Sequence, residues 1–234
     1  MKDKLIYKLL FPRHCVICDR ALKLSGEGIC KECSCVPLIV PAPRCSICGK
    51  AIRKGRNTCH DCTIKRPEYN YGRALYEYRS VQDSISRFKN VGRVEYGRFY
   101  GRQMATLLAE EIGQMNAEAI VPVPLHRDKL IYRGYNQAAI LAKEISDYHN
   151  IPLREDLLIR VRKSEDQKKL DVFQRQNNLK KAFHIAQNDV KLKDIIVVDD
   201  VYTTGSTINT ISSLLKEHGA ENVYFLTLAI GKGM

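Results

Sequence analysis

Two adjacent carboxylates, Asp199 and Asp200, stand where the apolar run "IIVV" ends, and "VYTTGST" follows them at once. An apolar run that leads into charge fits a buried strand whose end opens to solvent. Thr203, Thr204, Gly205, Ser206 and Thr207 would then turn the chain into a helix, with hydroxyls and backbone N–H groups at its N-terminus. Unpaired amides and the helix dipole make such a turn an anion cradle, phosphate first. The acidic pair beside it suits a polyhydroxyl group or a magnesium ion. A ligand with a phosphate on one side and sugar hydroxyls on the other is a ribose 5-phosphate. An Asp-Asp turn with a Thr-rich cap also has a purely structural use, but the two halves occur together at a strand end, which favours the ligand. No lysine follows the glycine where a Walker loop requires one.

A second chemistry lies in the cysteines. Eight of the nine form four Cys-x-x-Cys pairs: Cys15/Cys18, Cys30/Cys33, Cys45/Cys48 and Cys59/Cys62. They make two successive half-modules, an internal repeat of about thirty residues. Two Cys-x-x-Cys turns together complete the tetrahedron that zinc prefers, and a closed set of four thiolates is structural rather than catalytic. Gly26, Gly28 and Gly49 supply tight turns. Redox-active dithiols are the competing reading. Spacing leaves open whether one or two zinc ions bind, and whether pairs combine sequentially or crossed. Cys35 is left over as a bystander. An odd cysteine count and the absence of a signal-peptide pattern point to a reduced, cytoplasmic chain.

These residues need elements to hold them. "TIKRPEYNYGR" is a polar connector, so the expected domains are 1–66, a Cys-rich zinc module, and 67–234. Beyond the connector, "RALYEYR" reads as a strand, "VQDSISRFKN" as a short helix and Val94 to Ile112 as an amphipathic helix. From Ala117 the pattern alternates: strand "AEAIVPVPL", helix "GYNQAAILAKEISDYHN", strand "DLLIRVR", a polar helix or loop "VFQRQNNLKKAF", strand "DIIVVDD", helix "STINTISSLLKEHGA" and strand "NVYFLTLAIG". Strands apolar on both faces belong to a parallel sheet covered by helices, so the fold class is a doubly wound, mainly parallel α/β sheet behind a small zinc module. Ligands in such sheets sit at the carboxyl ends of the strands.

The chain is 44% apolar, and its net charge of +12 is uneven. Residues 1–70 hold 14 Lys/Arg against 6 Asp/Glu, which fits a polyanion, nucleic acid before an anionic membrane; plain solubility is the bland counterpart. Lys50, Arg53, Lys54 and Arg56 are candidate phosphate contacts, or solvated loop charges. No apolar stretch is long enough for a transmembrane helix, and "MKDKLIYKLLFPRHC" reads as a docking helix.

The run Val197–Thr207 resembles the signature with which type I phosphoribosyltransferases bind 5-phosphoribosyl 1-diphosphate (PRPP). The resemblance implies that Asp199 and Asp200, the catalytic pair, hold the ribose 2′- and 3′-hydroxyls, while Thr203, Thr204, Gly205, Ser206 and Thr207 hold the 5′-phosphate. "VPVPLHRDK" falls where that family has its pyrophosphate loop, which implies Arg127 for the diphosphate, with His126 and Lys129 as weaker candidates; Mg2+ would accompany PRPP. His126 reads first as a helix cap or packing residue.

Over the whole chain, the cysteine knuckles, "PVPLH", "RGYNQ", "QRQNNLKKAF" and "VVDDVYTTGST" resemble the ComF family. That resemblance implies a competence accessory role in natural transformation, handling incoming single-stranded DNA in the cytoplasm. The implied partners are the ATP-driven DNA translocase and the recombinase loader, which would also bring the chain to the inner face of the membrane. "FKNVGRVEYG" departs from the family's pattern, with Arg93 where relatives often carry an acidic residue. Residues 160–181, with eight basic and three acidic side chains, are expected to close over PRPP or to track a phosphate backbone. The alternative function is an active phosphoribosyltransferase with an unidentified acceptor. It would need a stacking residue, for which Tyr76, Tyr78 and Phe88 are the candidates.

Overall fold

A computed structural model describes residues 12–22, 28–161, 182–186 and 191–231 of the chain. The expected docking helix at residues 1–11, the turn at Gly26 and the basic segment 162–181 lie outside the described residues.

The central sheet has four parallel strands in the order β1-β6-β5-β2: β1 (Tyr71–Glu77), β2 (Ala119–Pro122), β5 (Asp194–Tyr202) and β6 (Asn222–Ile230). Strands β3 (Leu158–Arg160) and β4 (Phe183–Ile185) form a separate antiparallel pair. β5 shows why the sheet is buried. Ile195 and Val197 enter one apolar cluster, while Ile196 and Val198 enter the other, as the two-residue period of a strand requires. One face is covered by α2 (Tyr78–Asn90), α3 (Val94–Leu107) and α6 (Gln137–His149), through Phe88, Tyr96, Tyr100 and Leu141. The other face is covered by α7 (Ser206–Glu217), through Ile208, Ile211 and Leu215, and by the second cysteine ribbon.

The cysteine module straddles the β1 edge. Its first ribbon contributes Val16 to the cluster of α2 and α3, and its second contributes Cys45, Cys48 and Cys62 to the cluster of α7. Between them the chain passes along β1: Val40 N–H donates to the Leu75 carbonyl (3.0 Å) and Glu77 N–H to that of Leu38 (2.8 Å). This covers an edge that would otherwise present unpaired backbone groups.

Several elements differ from the sequence reading. "DLLIRVR" does form a strand, but it pairs with β4 and not with the main sheet, and only one residue in three is buried there. Leu153, upstream of it, makes a single parallel bridge to Ile120. The helix expected from Val94 to Ile112 breaks at Leu108 into α3 and α4 (Ala109–Met115). A short helix, α5 (Arg127–Arg133), follows "PVPLH", and Gly134 ends it at φ 78°. Asn136 caps α6, its side chain accepting from Ala138 N–H at 3.1 Å. Among the described residues no helix is long and apolar enough to cross a membrane.

Candidate functional site

The two ribbons repeat one backbone pattern. Cys15 N–H donates to the Arg20 carbonyl (2.9 Å) as Cys45 N–H does to that of Lys50 (2.7 Å). Cys30 N–H points at Cys15 Sγ (3.4 Å) as Cys59 N–H does at Cys45 Sγ (3.3 Å). Each ribbon closes its own cluster, so the pairs combine sequentially: Cys15, Cys18, Cys30 and Cys33 in one, Cys45, Cys48, Cys59 and Cys62 in the other. Within each cluster all the sulfurs lie within 4.8 Å of one another. Cys18 and Cys30 are 3.8 Å apart, Cys48 and Cys59 3.6 Å. A tetrahedron with metal–sulfur bonds of about 2.3 Å has sulfur separations of about 3.8 Å, so both clusters fit zinc and support it as a structural ion. In the first, Arg20 Nε donates to Cys18 Sγ (3.4 Å) and draws that thiol down to about 6. Cys35 is exposed and belongs to neither cluster.

Each knuckle needs a left-handed residue directly after its second ligand. The second ribbon uses Gly49 (φ 73°), and the first uses Asp19 (φ 60°), one of the residue types that tolerate this region. Asp19 then accepts from Arg93 Nη2 (3.0 Å) and from the Tyr96 hydroxyl, which also donates to the Cys15 carbonyl (3.0 Å). Arg93 therefore ties α3 to the first knuckle. In the second ribbon a cavity of about 320 Å³ is lined by Lys50, Arg53, Arg56, Thr58, His60 and Asp61, among others. Lys50 is buried and paired with Asp61 at 2.6 Å, whereas Arg53, Lys54 and Arg56 are exposed.

At the carboxyl edge of the main sheet, β5 carries Asp199 and Asp200, and the loop that follows leads into α7. Asp199 Oδ1 accepts from Asp200 N–H (2.8 Å), and Asp200 Oδ1 accepts from Lys89 Nζ (2.8 Å), at the end of α2. Burial pushes the Asp199 carboxyl up to about 7; the Asp200 charge adds to this, while the Asp200 amide, Lys89 and Arg160 oppose it. Thr227, across from Asp199 on β6, is fully buried with a hydroxyl that has no hydrogen-bond partner among the described residues.

Thr203 and Thr204 are exposed, Gly205 is the N-cap of α7 at φ 78°, and Ser206 and Thr207 open the helix. Glycine is required here twice over. The backbone is left-handed, and a Cβ would lie 2.3 Å from the Tyr202 hydroxyl. Tyr202 forms the floor of the loop, stacked on Phe225 at 4.9 Å and hydrogen-bonded to Tyr69 at 2.6 Å. The second ribbon reaches the same loop: α1 (His60–Lys65) ends in Lys65, whose Nζ donates to the Thr204 carbonyl (3.4 Å). The first amides of a twelve-residue helix, with three threonines and a serine around them, can cradle an anion.

The other predicted strand end lies alongside, since Val123 N–H donates to the Val198 carbonyl (2.9 Å). Arg127 is exposed at the start of α5, Lys129 lies on the same helix, and His126 is the helix cap, accepting from Asp128 N–H at 3.3 Å. The stacking candidates are taken by the core. Phe88 and Tyr76 are buried, Phe88 against Tyr135 and Tyr76 against Tyr100, and Tyr78 packs on the same cluster. Sequence reasoning missed Lys89 and Thr227, which come from two separate stretches of chain, and met Arg160 only as the first residue of the basic run 160–181.

Comparison with known proteins agrees with this architecture. The chain matches the phosphoribosyl transferase domain family over residues 105–233 and the double zinc ribbon domain family over residues 6–63. It is 32% identical to Competence protein F of Haemophilus influenzae, over 94% of this chain and 97% of that protein. The chain belongs to the ComF family. Other relatives are DNA utilization protein YhgH of Escherichia coli, 29% identical over 92% of this chain and 96% of that protein, and Competence protein ComFC of Streptococcus pneumoniae, 27% identical over 92% and 86%. The family assignment joins the two regions described above: a pair of four-cysteine ribbons, and a parallel sheet of phosphoribosyltransferase type.

Proposed function

We propose that this protein is a DNA-uptake accessory factor that handles incoming single-stranded DNA and binds PRPP, or a related ribose 5-phosphate, at the end of β5. The observation that carries the ligand is the pairing of Asp199 and Asp200 with the Gly205 loop within one strand-to-helix turn. Among the described residues each carboxylate has one oxygen engaged, Asp199 by the Asp200 amide and Asp200 by Lys89, and the other oxygen of each would accept from the two vicinal hydroxyls of a ribose. The amides of α7 would take the 5′-phosphate, and Arg127 the diphosphate. The DNA role rests on the names of the relatives and on the basic N-terminal third, with exposed Arg53, Lys54 and Arg56 as phosphate contacts.

Calorimetric titration of PRPP with magnesium into the wild type and the Asp199→Asn/Asp200→Asn variant tests the ligand. Micromolar binding lost in the variant is expected; a wild type that binds nothing refutes the reading. For DNA, fluorescence anisotropy of a labelled single strand against salt should give a slope that falls by about 0.7 for each phosphate-contacting cation replaced among Arg53, Lys54 and Arg56. An unchanged slope moves the DNA surface elsewhere.

A further inference from the structure

The acidic pair already has a cation. Lys89 Nζ sits 2.8 Å from Asp200 Oδ1, with the two side chains 25% and 13% exposed. A flexible surface lysine could reach any neighbour, but this one is held. Phe88, the residue before it, is completely buried and stacks on Tyr135, whose hydroxyl donates to the Phe88 carbonyl. Arg87 donates through Nη2 to the Ile17 carbonyl in the first zinc knuckle. The last turn of α2 is thus clamped on both sides, and from it Lys89 reaches Asp200.

A second positive charge acts on Asp199 alone. Arg160, on β3, lies with its guanidinium over the Phe183 ring at 5.2 Å, and its Nε is buried without a hydrogen-bond partner among the described residues. Its charge acts on Asp199 in the same sense as that of Lys89. Asp200 is therefore paired directly with Lys89, and Asp199 feels the charge of Lys89 and of Arg160.

This arrangement suits a diol and not a divalent ion. Magnesium demands near-octahedral oxygen ligation at about 2.0–2.1 Å and keeps several of its waters. At this pair it would meet an ammonium that already holds one carboxylate oxygen. Ribose hydroxyls need only acceptors, and each aspartate has one oxygen that accepts from no described residue. The charge that a metal would neutralise is neutralised by the chain itself.

We infer that Lys89 is a positioning residue that serves as resident counter-cation of the acidic pair, so that the ribose subsite takes ribose 5-phosphate without a divalent cation. Magnesium then matters only for the diphosphate end of PRPP. The inference rests on the ligand reading above and specifies how that site works.

The test is calorimetric titration of ribose 5-phosphate into the zinc-loaded full chain, in buffer passed over a chelating resin, with and without added magnesium. The wild type should bind equally well in both, within about twofold. Lys89→Met, which keeps the length and removes the charge, should weaken binding without magnesium by about tenfold or more, as expected for loss of a charge-assisted contact. Lys89→Arg should restore most of it. A merely structural role would lower the zinc content and melting temperature of Lys89→Met and leave Lys89→Arg, which keeps the charge, as weak as Lys89→Met; that result overturns the inference. Wild-type binding of ribose 5-phosphate only with magnesium overturns the inference while leaving the ligand reading intact. So does a Lys89→Met protein that binds like the wild type. A wild type that binds neither ribose 5-phosphate nor PRPP under any condition removes both.

Discussion

The two zinc ribbons share their turns and their sulfur-directed amides and differ by one residue in ligand spacing, yet they are attached to the molecule in different ways. In the second ribbon three of the four sulfur ligands, Cys45, Cys48 and Cys62, are buried in the same apolar cluster as Val121, Val197 and Phe225 of the main sheet. In the first, Cys18 and Cys30 are only partly buried, and the ribbon is held chiefly by polar contacts of Asp19, Arg93, Tyr96 and Arg87. One ribbon is part of the core, and the other is strapped onto it. Duplicated metal sites need not carry equal shares of the fold.

The largest consequence is a difference between two serine substitutions. Cys45→Ser removes a ligand at zero exposure and leaves a polar atom in the core. Structural zinc contributes on the order of 10 kcal/mol to small modules, comparable to the whole stability of a typical domain. Cys45→Ser should therefore yield mostly insoluble protein. Cys18→Ser should yield soluble protein whose zinc content falls from two ions per chain to one. Metal analysis and melting curves check both, and equal damage from the two substitutions breaks the comparison.

How much of this was legible beforehand depends on contiguity. Asp199, Asp200 and the loop from Thr203 to Thr207 occupy one stretch, so the strand, the turn and the ligand chemistry could be read together. Lys89 and Thr227 complete the same site from α2 and β6, and only the tertiary fold brings them to Asp200 and Asp199. The cysteine spacing announced metal clusters but left the pairing open, because sequential and crossed sets share the same spacing. What settles it is the backbone of each ribbon, which folds back on itself before the next begins. The antiparallel placement of β3 was hidden because three residues carry too little pattern to name a partner. Tyr76 and Phe88 were read as stacking candidates because aromatic residues look alike in sequence whether they line a cleft or fill a core.

A smaller effect separates the acidic pair from the ribbons by its pH dependence. Asp199 has an ordinary value of 3.8 and is pushed up to about 7 by burial first and by Asp200 second. Below 3.8 the carboxyl is neutral both folded and unfolded. Between the two values the folded state holds a proton that the unfolded state has released, so the stability it contributes falls as pH rises and is gone above about 7. Asp199→Asn removes that decline. The variant should melt close to the wild type near pH 4 and above it at pH 8, by an amount on the order of 5 °C. Its ribose 5-phosphate affinity should fall at the same time. A variant less stable than the wild type at pH 8 would show that the Asp199 carboxylate is stabilised rather than strained in the fold.

The smallest effect concerns the strap of the first ribbon. Arg93 joins α3 to Asp19 at 3.0 Å and to His14 at 3.3 Å, in a position 25% exposed. The Asp19 carboxyl is held below its ordinary value: burial raises it, but the Tyr96 hydroxyl and Arg93 outweigh that. A partly exposed pair contributes about 1 kcal/mol or less, so Arg93→Ala should lower the melting temperature by roughly 2–4 °C. The informative readout is zinc release to a chelator, because Asp19 directly follows Cys18 and closes the knuckle of the first cluster, not of the second. Faster loss of one zinc, with the other unchanged, would show that α3 steadies the first knuckle through this pair. Equal release of both would mean that the ribbons are coupled through β1 and the sheet, and that the difference between strapped and embedded is one of geometry alone.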